Sequence, residues 1–313
     1  MAVAEPVPLI VLAGPTAGGK TRLALELAEQ LDAEIVSADS RQIYRRLDIG
    51  TAKPTPDERT RVRHHMLDVI DVDASFDAAR YASEASAAIA AIRARGRPAI
   101  VCGGTGFYLR ALLEGIAQVP PVPGAVREAL RARLATAGEG ELHGELAQLD
   151  AEAAARIGPR DHRRVLRALE VAHATGRPLS AWQREHREMD RPAWHTLFLL
   201  LSPPREVLAG RIDERTRSMW QGGLVEETRA VLEAGFPVSA PGLQAIGYRE
   251  AVAVLAGEQS VEQGIEATRC ATQRYAKRQR TWFRGVAGTE TLLGEEPTAA
   301  VVARARAFLD APV

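Results

Sequence analysis

The chain has 313 residues, 46% of them hydrophobic and 26% charged, so it can bury a full core, and its length favours two domains. It has no apolar stretch long enough for a membrane span and no signal-peptide pattern, and Cys102 and Cys270 lie too far apart to indicate a disulfide framework or a cysteine zinc site. We therefore expect a cytoplasmic protein, and the net charge of zero indicates no polyanionic partner by itself.

The first elements in the chain predict a β-α-β unit of a parallel sheet. The apolar residues 7–13 predict a strand, and the stretch that ends near residue 31 has helical periodicity. The segment "AEIVS" at 33–37 predicts the second strand.

The loop "GPTAGGKT" at 14–21 fits the phosphate-binding P-loop pattern G-x-x-x-x-G-K-[ST]. In that pattern Gly14 and Gly19 free the backbone, Lys20 supplies a point charge and Thr21 offers a hydroxyl ligand to Mg²⁺. A glycine-rich turn with an exposed lysine is the alternative, and the strand before the loop and the helix after it argue against that alternative. We therefore predict that the loop binds at least a pyrophosphate.

The next part of the chain continues the α/β pattern. A helix is predicted from a Ser75 cap up to Gly96, and "RPAIVCGGTG" at 97–106 predicts a buried strand that ends in a glycine-rich turn. Residues up to about 118 therefore predict half of a doubly wound α/β domain. The proline-rich stretch 119–124 marks a boundary, because it can continue neither a helix nor a central strand.

The second half of the chain predicts how the domains are arranged. Residues 124–187 are helical in pattern, and the apolar stretch 194–202 returns to a strand, so the helical block is most simply an insertion. We predict an α/β protein with a P-loop NTPase-like core, in which helices flank a mostly parallel sheet. The core comprises residues 1–118 and 190–313, whose C-terminal part is mostly helical, and residues 119–189 form an all-helical insertion domain.

Arginines are clustered in two segments, although the chain as a whole is neutral. The first is "RDHRRVLRALE" at 160–170, where the arginines form a stripe opposite Val165 and Leu169, and the second is residues 269–284, which contain no acid. Solvated helix faces are the plain interpretation of such stripes. Two of them in one neutral chain favour a nucleic-acid partner.

An acidic residue is needed to complete the site. A motor ATPase would have an acid after an apolar strand, but here the strand "AIVC" ends in the uncharged segment 103–106. Asp39 follows the second predicted strand instead, at the edge where open α/β sheets bind ligands. It can be a metal ligand, a base or a turn cap. With Ser40, Arg41 and Gln42 beside it, the segment can contact a nucleobase while Asp39 accepts a proton.

Eight motifs follow one another in an order that resembles the tRNA dimethylallyltransferase (tRNA isopentenyltransferase) family over roughly residues 9–285. They are "GPTAGGKT", "ADSRQIY", "DIGTAKP", "GGTGFYLRALLEG", "RVLRALEV..ATGRPLS", "GLVEET", "AIGYREA" and "YAKRQRTWFRG". The resemblance implies transfer of a dimethylallyl group from dimethylallyl diphosphate to N6 of adenosine 37, beside the tRNA anticodon, with Mg²⁺ as cofactor. It also implies a monomer, here without the zinc finger of eukaryotic relatives.

The resemblance also implies roles for individual residues. Asp39 matches the general base, Thr105 matches a position that touches the target nucleotide, and Lys20 completes the catalytic set. Arg217 stands where an acid is more common. The residues implied to bind the donor diphosphate are Gly14, Pro15, Thr16, Ala17, Gly18, Gly19, Lys20, Thr21, Arg211 and Arg215, with Thr21 also on Mg²⁺. The residues implied to bind tRNA are Asp39, Ser40, Arg41, Gln42, Thr105, Arg127, Arg163, Arg164, Val165, Leu166 and Arg167, and the insertion domain is implied to grip the anticodon stem-loop.

Two other functions remain open from the residues. A small-molecule or nucleotide kinase also combines a P-loop with an acid after the second strand, and it would consume ATP. A non-catalytic RNA-binding regulator would use the arginine stripes and would not need Asp39. The adjacent His64 and His65, predicted on a helix, are interpreted as structural because adjacent helical side chains diverge. The four tryptophans are interpreted as core residues, least clearly Trp282 in its basic segment.

Overall fold

The computed structural model describes residues 6–138, 140–188, 194–294 and 296–311. By its internal contacts the chain forms two compact units, Met1–Leu113 with Pro192–Val313, and Glu114–Arg191. In the described part of the chain, no helix has the length and apolar character needed to cross a bilayer.

The larger unit contains a six-stranded sheet in which every strand pair is parallel. The strands are β1 (Val7–Ala13), β2 (Glu34–Ser37), β3 (His64–His65), β4 (Ala99–Gly103), β5 (Trp194–Leu201) and β6 (Thr289–Leu292). Their order is β3-β2-β4-β1-β5-β6. A parallel sheet needs crossover connections, and helices supply most of them. The predicted α/β class with a mostly parallel sheet is confirmed.

Helices cover the sheet and fill the rest of the chain. In the larger unit they are α1 (Lys20–Leu31), α2 (Pro56–Arg61), α3 (Ala78–Ala94), α4 (Gly106–Glu114), α10 (Arg205–Gln221), α11 (Leu224–Glu233), α12 (Tyr248–Leu255), α13 (Val261–Phe283) and α14 (Thr298–Asp310). In the smaller unit they are α5 (Gly124–Thr136), α6 (Glu141–Leu149), α7 (Ala151–Arg156), α8 (His162–Thr175) and α9 (Leu179–Glu188).

The strands predicted at 7–13, 33–37 and 194–202, and the one after residue 97, are confirmed. In β1 the last five residues are fully buried. β4 and β5 pair with both edges of β1, and side chains of α1 such as Leu27 pack in one core cluster with Ile10 and Leu12. β6 was not predicted, because its sequence "TETL" has no apolar run and pairing with β5 defines it.

Two local predictions are wrong. The helix predicted from a Ser75 cap begins after Asp77, whose carboxylate accepts a hydrogen bond from the Arg80 N–H at 2.9 Å and caps the first turn. The histidines predicted on a helix form β3, which pairs with β2. His64 hydrogen-bonds the Val62 carbonyl, and His65 hydrogen-bonds the buried carboxylate of Glu34 at 2.6 Å. Both histidines are therefore occupied by structural contacts.

The smaller unit has its own apolar core. Leu130, Leu146, Val165 and Leu169 are among its buried side chains, contributed by α5, α6 and α8. The buried carboxylate of Asp150 caps two helices, since its oxygens accept hydrogen bonds from the backbone N–H groups of residues 153 and 180, each at 2.9 Å. These contacts join α5 to α9 into one packed body.

Candidate active site

The P-loop connects β1 to α1 at the carboxyl edge of the sheet. Gly14 has φ +147°, and a Cβ there would lie 2.3 Å from the Leu201 carbonyl oxygen, so only glycine fits. Gly19 has φ +94° and immediately precedes α1. The loop borders a cavity of about 550 Å³, whose other walls come from the end of β2, residues 51–54, α10 and α13. All of these segments belong to the larger unit.

Lys20 lies at the base of this cavity. Its ammonium group donates a hydrogen bond to the Pro15 carbonyl at 2.8 Å. Burial lowers the pKa of Lys20, the nearby Cys102 and Asp39 raise it, and Arg215 lowers it further. Burial also raises the pKa of the Cys102 thiol to about 11, so that thiol is uncharged at neutral pH. A poorly hydrated cation with little negative charge around it attracts an anionic ligand strongly.

Arg211 and Arg215 of α10 face the P-loop, and Arg217 does not. Arg215 donates to the Thr16 hydroxyl, and burial lowers the pKa of its guanidinium. Arg211 donates to the Gly18 carbonyl at 3.4 Å. Arg217 instead pairs with Asp213 at 3.1 Å on the helix surface. The cavity therefore combines Lys20 with two guanidinium groups and the loop backbone, a set suited to a diphosphate.

A residue that the sequence did not single out, Gln279 of α13, ties the P-loop to the end of β4. Its side-chain oxygen accepts from the Thr16 N–H and its amide nitrogen donates to the Gly104 carbonyl, both at 2.9 Å. The residue is 5% exposed. A Cβ at position 104 would lie 2.3 Å from this amide. No sequence signal singles Gln279 out, because the basic run at 269–284 contains a second uncharged amide, Gln273.

Asp39 and Thr105 meet at the ends of β2 and β4. One Asp39 carboxylate oxygen accepts from the Arg41 N–H at 2.8 Å, which forms a local turn. The Thr105 hydroxyl accepts from the Ser40 N–H at 3.0 Å. Asp39 lines the cavity and is close enough to Lys20 and Arg215 to affect the pKa values of both. The predicted base and the side chains predicted to bind the diphosphate thus line one cavity.

The amide of Gln42 is held in place by the protein. Its oxygen accepts from the Ser37 hydroxyl at 3.0 Å, and its nitrogen donates to the carbonyls of Thr51 at 3.3 Å and Ala52 at 3.1 Å. Gln42 lines the cavity, and Arg41 beside it is exposed. A fixed amide at this position can distinguish hydrogen-bond donors from acceptors on a ligand.

The remaining predicted tRNA contacts belong to the smaller unit. Arg127, Arg163, Arg164 and Arg167 are exposed there, with Arg164 near Asp161 at 3.4 Å and Arg167 near Glu170 at 3.5 Å. Val165 is 2% exposed and packs in the core, so its side chain cannot contact a surface ligand, contrary to the prediction. Leu166 packs partly against that same core.

The second basic segment presents an unpaired cationic face. Arg274, Lys277 and Arg278 on the C-terminal half of α13, and Arg284 directly after the helix, are exposed. Within the described residues, none of them forms an ion pair with a carboxylate. By contrast, Arg269, near the middle of the helix, pairs with Glu266. Unpaired basic side chains in a row are typical of a surface that contacts phosphates.

Trp282 and Trp220 differ in their surroundings. Trp220 is 6% exposed and donates its N–H to Thr268, so the core interpretation holds for it. Trp282 is only half-buried, packs against Gly106 and carries the Arg110 guanidinium 5.2 Å from its ring centroid.

The residues of the cavity suit a magnesium ion that is bound mainly by phosphate and water. Among the described residues, no group of three or more His, Cys, Asp and Glu side chains could hold a metal. Thr21 and Glu214 line the cavity and offer oxygen ligands. Mg²⁺ keeps several waters and is commonly bound through one or two side chains plus substrate phosphates, so this donor set fits.

The chain is similar to tRNA-modifying enzymes along most of its length. A family model described as IPP transferase matches residues 42–286, which begins after the P-loop and Asp39. The tRNA dimethylallyltransferase of Syntrophobacter fumaroxidans is 46% identical over 278 residues, covering 89% of this chain and 81% of that protein. The tRNA dimethylallyltransferase of Geobacter metallireducens is 47% identical, covering 90% of each.

Two solved structures are also similar. The full-length tRNA isopentenylpyrophosphate transferase of Bacillus halodurans matches with a TM-score of 0.69 and 34% identity, over 96% of this chain and 95% of that one. A eukaryotic dimethylallyltransferase acting on tRNA matches with a TM-score of 0.81 and 27% identity, over 98% of this chain and 81% of that one. On the family match and the identity to these relatives, the chain belongs to the IPP transferase family.

Proposed function

We propose that the protein transfers a dimethylallyl group from dimethylallyl diphosphate to N6 of adenosine 37 in tRNA and releases diphosphate. One observation carries this proposal beyond family membership. The half-buried Lys20 and Arg215 of the phosphate side and the carboxylate of Asp39 border a single cavity. The proposed reaction needs cations to stabilise the leaving diphosphate and a carboxylate to accept the proton that the amine loses.

On the donor side, the C–O bond to the diphosphate breaks, and negative charge grows on the leaving oxygen. The loop N–H groups, Lys20, Arg211 and Arg215 are already in place, so they stabilise that charge without reorganising. Their partial desolvation strengthens the interaction, since charges attract more strongly in a low-dielectric site. Mg²⁺, bound through the Thr21 hydroxyl, would supply additional positive charge to the phosphate oxygens.

On the acceptor side, the exocyclic amine of adenine attacks the allylic carbon. That amine is a weak nucleophile because its lone pair is delocalised into the ring, so it needs a base for the proton it sheds. Asp39 accepts one hydrogen bond from Arg41 through a single oxygen, and its second oxygen serves as the proton acceptor. The base has to leave the anticodon-loop stack to enter, which costs a few kcal/mol. Thr105 and Gln42 contact the flipped nucleotide in this proposal.

In this proposal the smaller unit, on which Arg127, Arg163, Arg164 and Arg167 are exposed, binds the anticodon stem-loop. The cationic face of α13, on the larger unit, is a second surface suited to tRNA phosphates. We further infer that the enzyme works as a monomer in the cytoplasm. Size-exclusion chromatography with light scattering tests the oligomeric state, with a mass near the 33.8 kDa of one chain as the expected result.

The decisive experiment incubates the purified protein with Mg²⁺, unmodified tRNA and labelled dimethylallyl diphosphate, with ATP alone in a parallel reaction. Nuclease digestion and mass spectrometry then locate the label. We expect one C₅H₈ unit on a single adenosine without ATP consumption, and loss of transfer when EDTA removes the metal. If no label reaches tRNA and ATP is hydrolysed instead, the kinase alternative replaces this proposal.

A further inference from the structure

The 48–54 loop, "DIGTAKP", forms one wall of the cavity through its residues 51–54. Ala52 has φ +49°, in the left-handed region that non-glycine residues adopt only where their surroundings hold them. Its N–H donates to the Ile49 carbonyl at 3.0 Å, a contact inside the loop. In addition to this internal turn, contacts from other parts of the chain hold the loop at both ends.

Two residues of the motifs "GLVEET" and "AIGYREA" hold the loop from behind. Glu227 of α11 accepts from the N–H groups of Asp48 at 3.0 Å and Ile49 at 3.1 Å. Tyr248 of α12 is 0% exposed, and its hydroxyl accepts from the Gly50 N–H at 3.0 Å while donating to Glu227 at 2.5 Å. Burial and the Glu227 carboxylate raise the pKa of Tyr248, so its phenol stays protonated and can donate. Three consecutive backbone N–H groups are thus satisfied by this pair.

A buried cation holds the far end of the loop. Lys53 is almost fully buried, and its ammonium group donates to the Tyr44 carbonyl at 2.6 Å, to Asp48 at 2.5 Å and to Asp68 at 2.6 Å. Asp68 also pairs with Arg59 at 2.7 Å. With both ends fixed, the carbonyls of residues 51 and 52 are held at the positions where they accept from the Gln42 amide.

We propose that Glu227 and Tyr248 are positioning residues for the transfer reaction. They fix the 48–54 loop, and through its carbonyls they fix the amide of Gln42 in the orientation that the acceptor nucleotide requires. Among the described residues that line the cavity, neither Glu227 nor Tyr248 is found, so both act through the loop. This inference rests on the proposed function. It adds a series of hydrogen bonds that runs from Glu227 and Tyr248 through the 48–54 loop to Gln42.

The first test is Tyr248→Phe, with Tyr81→Phe as the matched control. Tyr81 is equally buried, and its hydroxyl has no hydrogen-bond partner within the described structure, so its removal should have no effect on transfer. We expect Tyr248→Phe to lower kcat/KM for tRNA about tenfold, since a hydrogen bond to a carboxylate and one to a backbone N–H are lost. Assays at a temperature far below the Tm of each variant separate this loss of kcat/KM from a loss of folded protein.

The second test places Tyr248→Phe in a Gln42→Ala background. If the loop acts through Gln42, the second substitution should change kcat/KM by less than about twofold there. A further tenfold loss in that background, or unchanged kinetics for Tyr248→Phe alone, overturns the inference. If the wild-type protein transfers no prenyl group, the proposed function fails first, which is a different result. Should Tyr248→Phe not fold, Glu227→Gln carries the same test, because it keeps the volume and replaces an acceptor by a donor.

Discussion

Removing the carboxamide of Gln279 should both destabilise the fold and weaken donor binding. In Gln279→Leu the Thr16 N–H loses its acceptor and the Gly104 carbonyl loses its donor, both at 2.9 Å in the wild type. Gly104 is buried and Thr16 is half-buried. An unsatisfied buried polar group costs about 1–3 kcal/mol, and water reaches Thr16 in part, so we expect a total loss of about 2–4 kcal/mol.

Urea unfolding measures this loss, and the donor KM measures the effect on the P-loop. Gln279→Glu separates the two contacts, because its carboxylate still accepts from Thr16 but cannot donate to Gly104. It should therefore lose stability, and the charge it adds beside the diphosphate should raise the donor KM. Gln273→Leu, half-buried on the same helix, controls for helix propensity. If the free energy of unfolding of Gln279→Leu instead lies within about 0.5 kcal/mol of the wild-type value, and the donor KM is unchanged, the two hydrogen bonds of Gln279 have no energetic role.

Three further outcomes follow from the site. Lys20→Ala should lower donor kcat/KM by about 10²-fold. Because burial lowers the pKa of Lys20, the wild-type donor KM should rise at a pH below the ordinary lysine value of 10.5, and a KM that stays flat up to that pH would contradict the assignment. Asp39→Ala should reduce kcat by about 10²-fold or more while the Kd for tRNA changes by less than about threefold, and normal turnover would rule out the base role. Arg163→Ala and Arg167→Ala should each weaken tRNA binding and reduce the slope of log Kd against log salt by about 1. Arg217→Ala is the control and should leave the slope unchanged, because Arg217 lies on the surface of α10, outside the segments expected to bind tRNA.

The sheet and the P-loop could be predicted because their information is local. The strand at 7–13 is a continuous apolar run, which is the sequence pattern of a strand buried on both faces. The loop that follows it needs glycine at residue 14, because a side chain there would meet the Leu201 carbonyl. Both features depend on residue types at fixed short spacings. β6, by contrast, is defined by its pairing with β5, a contact that no local pattern encodes.

The parts of the site that were missed depend on contacts between distant segments. Gln279 and Thr16 are 263 positions apart, and nothing in the basic run distinguishes this amide as the one that turns inward. Lysine is usually exposed, and no local pattern marks Lys53 as an exception. Its ammonium group is nevertheless buried between Asp48 and Asp68. Val165 shows the opposite error. It lies inside a segment implied to bind tRNA, but helical periodicity turns its side chain into the core.

In the proposed function one cavity serves a leaving group and a base, and the arrangement of charge there supports both roles. Lys20 and Arg215 are partly desolvated, and Asp39 is the one carboxylate among the described residues that raises the pKa values of both. The cationic side therefore stays undercompensated until an anion binds. Asp39 in turn retains a free oxygen, because Arg41 occupies only one. A diphosphate would supply the negative charge that these cations lack, in the same cavity that Asp39 lines. In the proposed reaction, the free oxygen of Asp39 then faces the side of the cavity where the acceptor amine loses its proton.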